Sequence, residues 1–199
     1  MPDSIGQVIR AVGQNSSASS DFDLNPDIVL PKGRTLRPAG VLIAIEQREG
    51  KPHVIFTKRS SHLKHHPGQI AFPGGKQEDN DATVVEAALR EAQEEIGLPS
   101  PIVEVLGTLP THETVTGFVV TPVLGKVRKS FEIISEPGEV EDVFSVPLAH
   151  VTNPARFSIQ SRLWNGMQRN YYTVPFGPYY IWGATARILR GLADRIHVS

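Results

Sequence analysis

The segment from Ala82 to Pro99 constrains the fold more than any other. Val85, Ala88, Leu89, Ala92 and Ile96 recur at i, i+3, i+4, i+7 and i+11, one apolar stripe on a helix. Thr83, followed three residues on by Glu86, predicts a capping box, and Gly97 then Pro99 predict the stop. A helix with a single apolar stripe has to bury it, and the flanking chain supplies strands. Residues 40–45 and 53–57, around a turn at 48–52, predict a hairpin. Residues 70–72 predict a short strand before a break at Pro73-Gly74-Gly75. Further strands are predicted at 102–109, 118–127, 143–146, 157–159 and 171–174, with a helix starting within 147–151. Ile181, Ala184, Ile188, Leu192 and Ile196 form a second stripe, so the chain is predicted to end helical over 181–196. Strands interrupted by a few helices give a mixed α/β (α+β) class.

The 199 residues fit one domain with an appended arm. Residues 1–38 read as that arm. Ile5, Val8, Ile9 and Val12 have helical spacing, residues 15–21 form a Ser- and Asn-rich linker, and Pro26, Pro31, Gly33 and Pro38 make the rest irregular. The domain proper is expected over 39–199. Lys and Arg number 20 against 21 Asp and Glu, a net charge of -1, which lacks the basic surplus of a nucleic-acid binder. There is no cysteine, which excludes a disulfide framework, a cysteine zinc site and a cysteine nucleophile. No apolar run is long enough to span a membrane, and no secretory leader is read at the N-terminus. The expectation is a cytoplasmic protein with no membrane and no nucleic-acid partner, acting on a small molecule, with a homodimer compatible with the sequence.

The helix also carries chemistry. Glu91, Glu94 and Glu95 stand at i, i+3 and i+4, which is expected to bring three carboxylates to one face. Like charges at that spacing repel, and Glu94 and Glu95 fall in the last turn, where the helix dipole disfavours anions. Each effect costs a few tenths of a kcal/mol to about 1 kcal/mol. A hard divalent cation would reverse both signs, and Mg²⁺ favours carboxylate oxygens and substrate phosphates. Taken alone, such a run is more often a solvated acidic face with Arg90 as its ion-pair partner. The glycine turn feeding the helix argues otherwise, because glycine lets backbone approach a ligand closely.

This segment resembles the signature of the Nudix hydrolases, G-x5-E-x7-R-E-U-x-E-E-x-G-U with U aliphatic. Residues 90–98, Arg-Glu-Ala-Gln-Glu-Glu-Ile-Gly-Leu, match its second half at every defined position. The first half departs. Counting back from Arg90, the early Glu falls on Ala82 and the Gly on Lys76, so Gly74-Gly75 sit one residue early and Asp81 is the nearest acid. Upstream, Thr57-Lys58-Arg59-Ser60 and then His65-His66-Pro67-Gly68-Gln69-Ile70-Ala71-Phe72-Pro73-Gly74-Gly75 are similar to the motif of the coenzyme A pyrophosphatase branch, T-x-R then H-x-G-x-(V/I)-x-F-P-G-G. Residues 116–123, 139–148 and 181–186 resemble its later blocks, so the likeness spans about residues 38 to 196.

The resemblance implies an α/β/α sandwich around a mixed sheet, and Mg²⁺- or Mn²⁺-dependent attack of water on a pyrophosphate. Coenzyme A would give 3',5'-ADP and 4'-phosphopantetheine. It assigns metal ligation to Glu91 and Glu95, with Glu94 as a further metal-binding or catalytic acid and the Gly75 carbonyl as an additional ligand. Arg90 is expected to orient Glu91. The resemblance leaves two sources for the general base, an acid on a distal loop or a Glu of the signature; among the loop acids Glu139 comes ahead of Glu141 and Glu113, each of which reads equally well as a surface charge. Arg59, Lys64, His65 and His66 are candidate donors to the 3'-phosphate or the pyrophosphate, beside the Gly74-Gly75 backbone; without a ligand they are a solvated basic loop. Trp164, Trp182, Tyr171 and Tyr172 could stack on adenine, although aromatic residues more often fill a core.

Overall fold

The longest strand organises the sheet, because both of its faces are apolar. In the computed structural model, residues 4–13, 17–30, 33–63, 66–164 and 166–197 are described. In chain order the elements are α1 (Ser4–Val12), β1 (Ser19–Ser20), β2 (Arg37–Arg48), β3 (Lys51–Arg59), β4 (Ile70–Ala71), β5 (Gly74–Lys76) and α2 (Val84–Ile96). There follow β6 (Val103–Thr108), β7 (His112–Glu113), β8 (Phe118–Val127), β9 (Val140–Pro147), α3 (Leu148–Val151), β10 (Ser158–Trp164), β11 (Met167–Thr173) and α4 (Gly183–His197).

Among the described residues, nine strands form one mixed sheet and β10–β11 a separate hairpin. Strand β2 runs parallel to β8 and antiparallel to β3 at one end and β5 at the other. Side chains on a strand alternate between faces. Leu42 and Ala44 therefore pack under α2 with Ile55, Ala88, Ala92, Ile96 and Val123. Ile43 and Ile45 join the opposite core with Phe56, Leu124, Val8 and the Ile188–Leu192 stripe of α4. A helical layer on each face of a mixed sheet is the α/β/α sandwich expected from the sequence.

Helix α2 begins and ends for local reasons. The Thr83 hydroxyl accepts from Glu86 N–H, and Ala82 N–H in turn donates to Glu86 Oε2 at 2.7 Å. Such a cap is worth about 0.5–2 kcal/mol. Gly97 closes the helix in the left-handed region at φ 71. The loop before β9 then crosses the helix end, with Ile134 N–H donating to Ile96 O and Glu136 N–H to Glu95 O. Carbonyls that a helix terminus leaves without partners are satisfied this way.

Several expectations need correction. The Gly74-Gly75 segment, expected as a break, is strand β5, paired with β2 from Ala39 to Val41. Ile9, assigned to the apolar stripe of α1, is 48% exposed, and Ala11 takes its buried place. In the linker, residues 17 onward are described, and Ser19–Ser20 form a strand parallel to β7. The predicted strands at 157–159 and 171–174 are two flanks of one hairpin paired through seven positions. The arm shares the domain's core, since Ile5, Val8 and Ala11 are buried against it.

Candidate active site

The acidic face of α2 lies against β5. Glu95 is buried and its Oε2 accepts from Gly74 N–H at 3.1 Å. Gly75 is the close approach: a Cβ there would lie 2.5 Å from Glu91 Cδ, so only glycine leaves the carboxylate its place. The sequence expectation of three carboxylates on one face holds for two of them. Glu91 and Glu95 turn toward the glycine strand, whereas Glu94 is 58% exposed and bound by Arg90 Nη1 at 2.8 Å. Residues 94 and 95 differ by about 100° around a helix, which is enough to separate them.

Arg90 organises the face. Its guanidinium makes five hydrogen bonds, two to Asp81, one each to Glu91 and Glu94, and one to the Lys76 carbonyl. Arg90 Nη1 lies 3.2 Å from Oε1 of Glu91, the residue it is expected to orient. Asp81 stands where the signature's early Glu is missing, and the Arg90 guanidinium holds its carboxyl below the usual carboxylate range. A rigid fork of five donors suits this task, which a lysine ammonium cannot perform.

Burial pushes Glu95 up to about 8; Gly74 N–H opposes this, and the charges of Glu91 and Glu139 add to it. Burial likewise raises Glu91, against the pull of Arg90. The charge of Glu139 thus reaches both acids. Its position follows from the loop over the helix end and from Ser60 N–H donating to Glu139 O at 2.8 Å. Of the other two base candidates, Glu141 is paired with Lys58 at 2.5 Å and Glu113 with Arg34.

Arg59 ends β3 where the register with β9 skips Glu141, a β-bulge in β9, and its charge reaches Glu95. Bulges re-aim side chains beside active sites. Its Nε is buried without a hydrogen-bond partner. Arg59, His66, Gly74 and Gly75 all line a cavity of about 320 Å³ that continues between the sheet, the start of α4 and the β10–β11 hairpin. Lys64 and His65 lie outside the described residues. Trp164, Trp182 and Tyr171 line the cavity, and Tyr172 does not. Sequence reasoning missed Arg162, Arg169 and Asn170 on the hairpin, and Asp21 and Asn25 on the arm. The detectable signal was Arg162-x-Trp164 and Arg169-x-Tyr171, each alternating to one face of adjoining strands.

Among the described residues, no three His, Asp or Glu side chains gather as a group able to hold a metal ion. Arg90 binds both Glu94 and Glu91, and of the three acids Glu91 and Glu95 lie at the glycine strand. The donor set still fits a hard cation, because Mg²⁺ is commonly held by one or two carboxylates plus water and substrate phosphate. A buried Glu95 that accepts from the backbone N–H of Gly74, and whose proton affinity burial raises, is the group such a cation would stabilise.

The layered mixed sheet and the acidic helix set against a glycine strand are those of a Nudix hydrolase. Residues 36–164 match the NUDIX domain model. The chain belongs to the Nudix hydrolase family. It is 39% identical to the "Uncharacterized Nudix hydrolase NudL" of Enterobacter sp. (strain 638), over 87% of this chain and 96% of that protein. It is 42% identical to the protein of the same name from Shigella boydii serotype 4 (strain Sb227), over 82% and 84% of the two chains. Among solved structures, a MutT/nudix family protein from Enterococcus faecalis superposes with TM-score 0.53 at 14% identity, over 100% of this chain and 76% of that one. The MutT protein from Methanosarcina mazei Go1 gives TM-score 0.53 at 16% identity, over 85% and 100%. These two likenesses concern the fold. No helix among the described residues is long and apolar enough to cross a membrane.

Proposed function

We propose that this Nudix hydrolase cleaves the pyrophosphate of coenzyme A or its derivatives, releasing 3',5'-ADP and the matching 4'-phosphopantetheine. The observation that carries the reading is Arg59. The residue singled out by the coenzyme A-type motif has a buried, unpartnered Nε in the cavity wall, and its charge reaches Glu95. Burying a guanidinium edge without a partner costs about 1–3 kcal/mol, and an anion would recover it.

Glu91 and Glu95, with the Gly75 carbonyl, would hold Mg²⁺ or Mn²⁺. The cation would neutralise pyrophosphate charge and lower the pKa of bound water. The chain's own residues supply the rest. Arg59 and His66 would bind pyrophosphate oxygens, and Arg90 fixes the direction of Glu91. Glu139 would accept the proton of the attacking water. The new bond joins the water oxygen to phosphorus, the bridging P–O bond breaks, and the bridging oxygen leaves with the departing phosphate.

The test is product analysis by mass spectrometry with coenzyme A, ADP-ribose and a nucleoside triphosphate panel, each with Mg²⁺ or Mn²⁺, beside Glu95→Gln and Glu139→Gln. Selective release of 3',5'-ADP and 4'-phosphopantetheine, lost in Glu95→Gln, is expected. Comparable turnover of ADP-ribose overturns the substrate assignment. Binding of coenzyme A without turnover under either metal would instead favour a nucleotide sensor.

A further inference from the structure

The far wall of the cavity holds a second cationic centre that the hydrolytic chemistry leaves without a task. Arg162 and Arg169 are direct partners across the β10–β11 ladder. Like charges placed opposite one another in a hairpin are destabilising. Neither guanidinium forms an ion pair among the described residues, and Arg169 Nε is buried with no hydrogen-bond partner. Both side chains line the cavity. The acid in that wall, Asp21, is committed elsewhere: His112 Nε2 lies 3.0 Å from its Oδ1, and Val115 N–H donates to its Oδ2 at 2.9 Å.

The surroundings of the two arginines are aromatic. The Arg162 guanidinium lies over Trp164 at 4.8 Å and over Trp182 at 4.5 Å. Arg169 stands 5.9 Å from the rings of Trp164 and Phe22. Tyr171 meets Trp182 edge-on at 5.2 Å. A guanidinium stacked on a ring keeps its N–H edge for a planar or tetrahedral anion. The hairpin is also fixed in place: Asn25 Nδ2 donates to Asn170 O at 2.9 Å, and Asn170 N–H donates to Asn25 Oδ1 at 2.8 Å. Thr173 Oγ1 donates to Ile181 O at 3.0 Å. The charge pair is therefore held together by a braced element rather than by a loose loop.

We infer that Arg162 and Arg169 form a subsite for a phosphomonoester carried on the nucleoside half of the substrate, separate from the pyrophosphate held at Arg59 and the glycine strand. Two adjacent guanidinium groups match a dianion, and a phosphomonoester carries about -1.5 to -2 charges near neutrality. The rings beside them suit the base-bearing half of the ligand. This deepens, and rests on, the coenzyme A reading, in which the group is the 3'-phosphate. It moves recognition of that phosphate from the Arg59–His66 block to the hairpin. ADP-ribose and nucleoside triphosphates have no second, separate phosphomonoester to offer.

The experiment compares kcat/KM for coenzyme A and for dephospho-coenzyme A, which differ by that phosphate alone. The enzymes are wild type, Arg162→Gln, Arg169→Gln, the double variant and Arg169→Lys. Calorimetry in EDTA measures binding of adenosine 3',5'-bisphosphate against 5'-AMP to the same proteins, and thermal melts check their folding. Wild type is expected to prefer coenzyme A. The ratio of the two kcat/KM values should fall about tenfold to a hundredfold in Arg169→Gln, the scale of one charge-assisted hydrogen bond. Arg169→Lys should restore part of it, which a merely structural role would not predict. An unchanged ratio in the folded variants, or no wild-type preference, overturns the subsite. If neither coenzyme is cleaved yet adenosine 3',5'-bisphosphate binds through the arginine pair, the substrate reading fails and the subsite stands. If that ligand does not bind either, both fail.

Discussion

Replacing Gly75 with alanine separates catalysis from folding. The new methyl would lie 2.5 Å from Glu91 Cδ and 2.9 Å from Oε2, whereas ordinary contact starts near 3.4 Å. The carboxylate has to retreat by about 1 Å, and a displacement of that size costs about a hundredfold in rate, or about 2.7 kcal/mol. The backbone at Gly75 lies outside the left-handed region, so the methyl adds no torsional strain. What yields is the end of a side chain, so stability should change by about 1 kcal/mol or less, a melting shift of roughly 2–4 °C. Gly40→Ala is the contrasting variant. Its methyl would press on the Val84 carbonyl and lie 3.1 Å from Ala88 Cβ, so α2 has to lift off the sheet. Overpacking of that kind costs about 1–3 kcal/mol of folding. Steady-state kinetics over a metal titration, with thermal melts of both variants, makes the comparison. Gly75→Ala with kcat/KM within about threefold of wild type, or with the same melting loss as Gly40→Ala, would refute the reasoning.

Two further outcomes follow from the same geometry. Glu95 has its folded value raised to about 8 from an ordinary 4.5, so the metal-free native state holds a proton across that window that the unfolded chain has released. Stability in EDTA should therefore fall as pH rises from about 4.5 to 8, and Glu95→Gln should flatten the dependence in urea denaturation. Asn25→Ala removes two hydrogen bonds to Asn170, worth about 1–3 kcal/mol together, and frees the hairpin. Faster proteolysis after Arg162 or Arg169 and a raised KM are expected, and a protection pattern like wild type's would contradict the brace.

What could be read from the residues follows from the range of the forces that shape each element. Helix α2 was legible in full, since its stripe, its Thr83–Glu86 cap and its Gly97 stop all act within a few residues. Strand β8 was legible as an apolar run between turns. Strand β5 was not, because its partner is β2, more than thirty residues away, and nothing local distinguishes a paired glycine strand from a turn. The separation of Glu94 from Glu91 and Glu95 depends on which side of α2 meets β5, a tertiary fact. The same holds for the arm: Asp21 reaches the cavity because β1 pairs with β7 and Asp21 meets His112 across that junction. Arg162 and Arg169 required knowing that two short, polar strands pair in one register.

Arg90 has a consequence for how the chain tolerates change. Its guanidinium ties Asp81 and the Lys76 carbonyl, at the two ends of the connection from β5 to α2, to the helix itself. The position of the acidic face is thereby set by a clamp across the connection, and the number of residues inside it becomes free to drift. A spacer one residue longer than the signature's, with an aspartate in place of the glutamate, leaves the carboxylates where they are. A pattern that counts residues through this stretch would reject the chain, whereas one that asks only for an acid within reach of the guanidinium would keep it. Insertions at residues 78–80 should be borne by this enzyme far better than a single exchange of Arg90 for lysine.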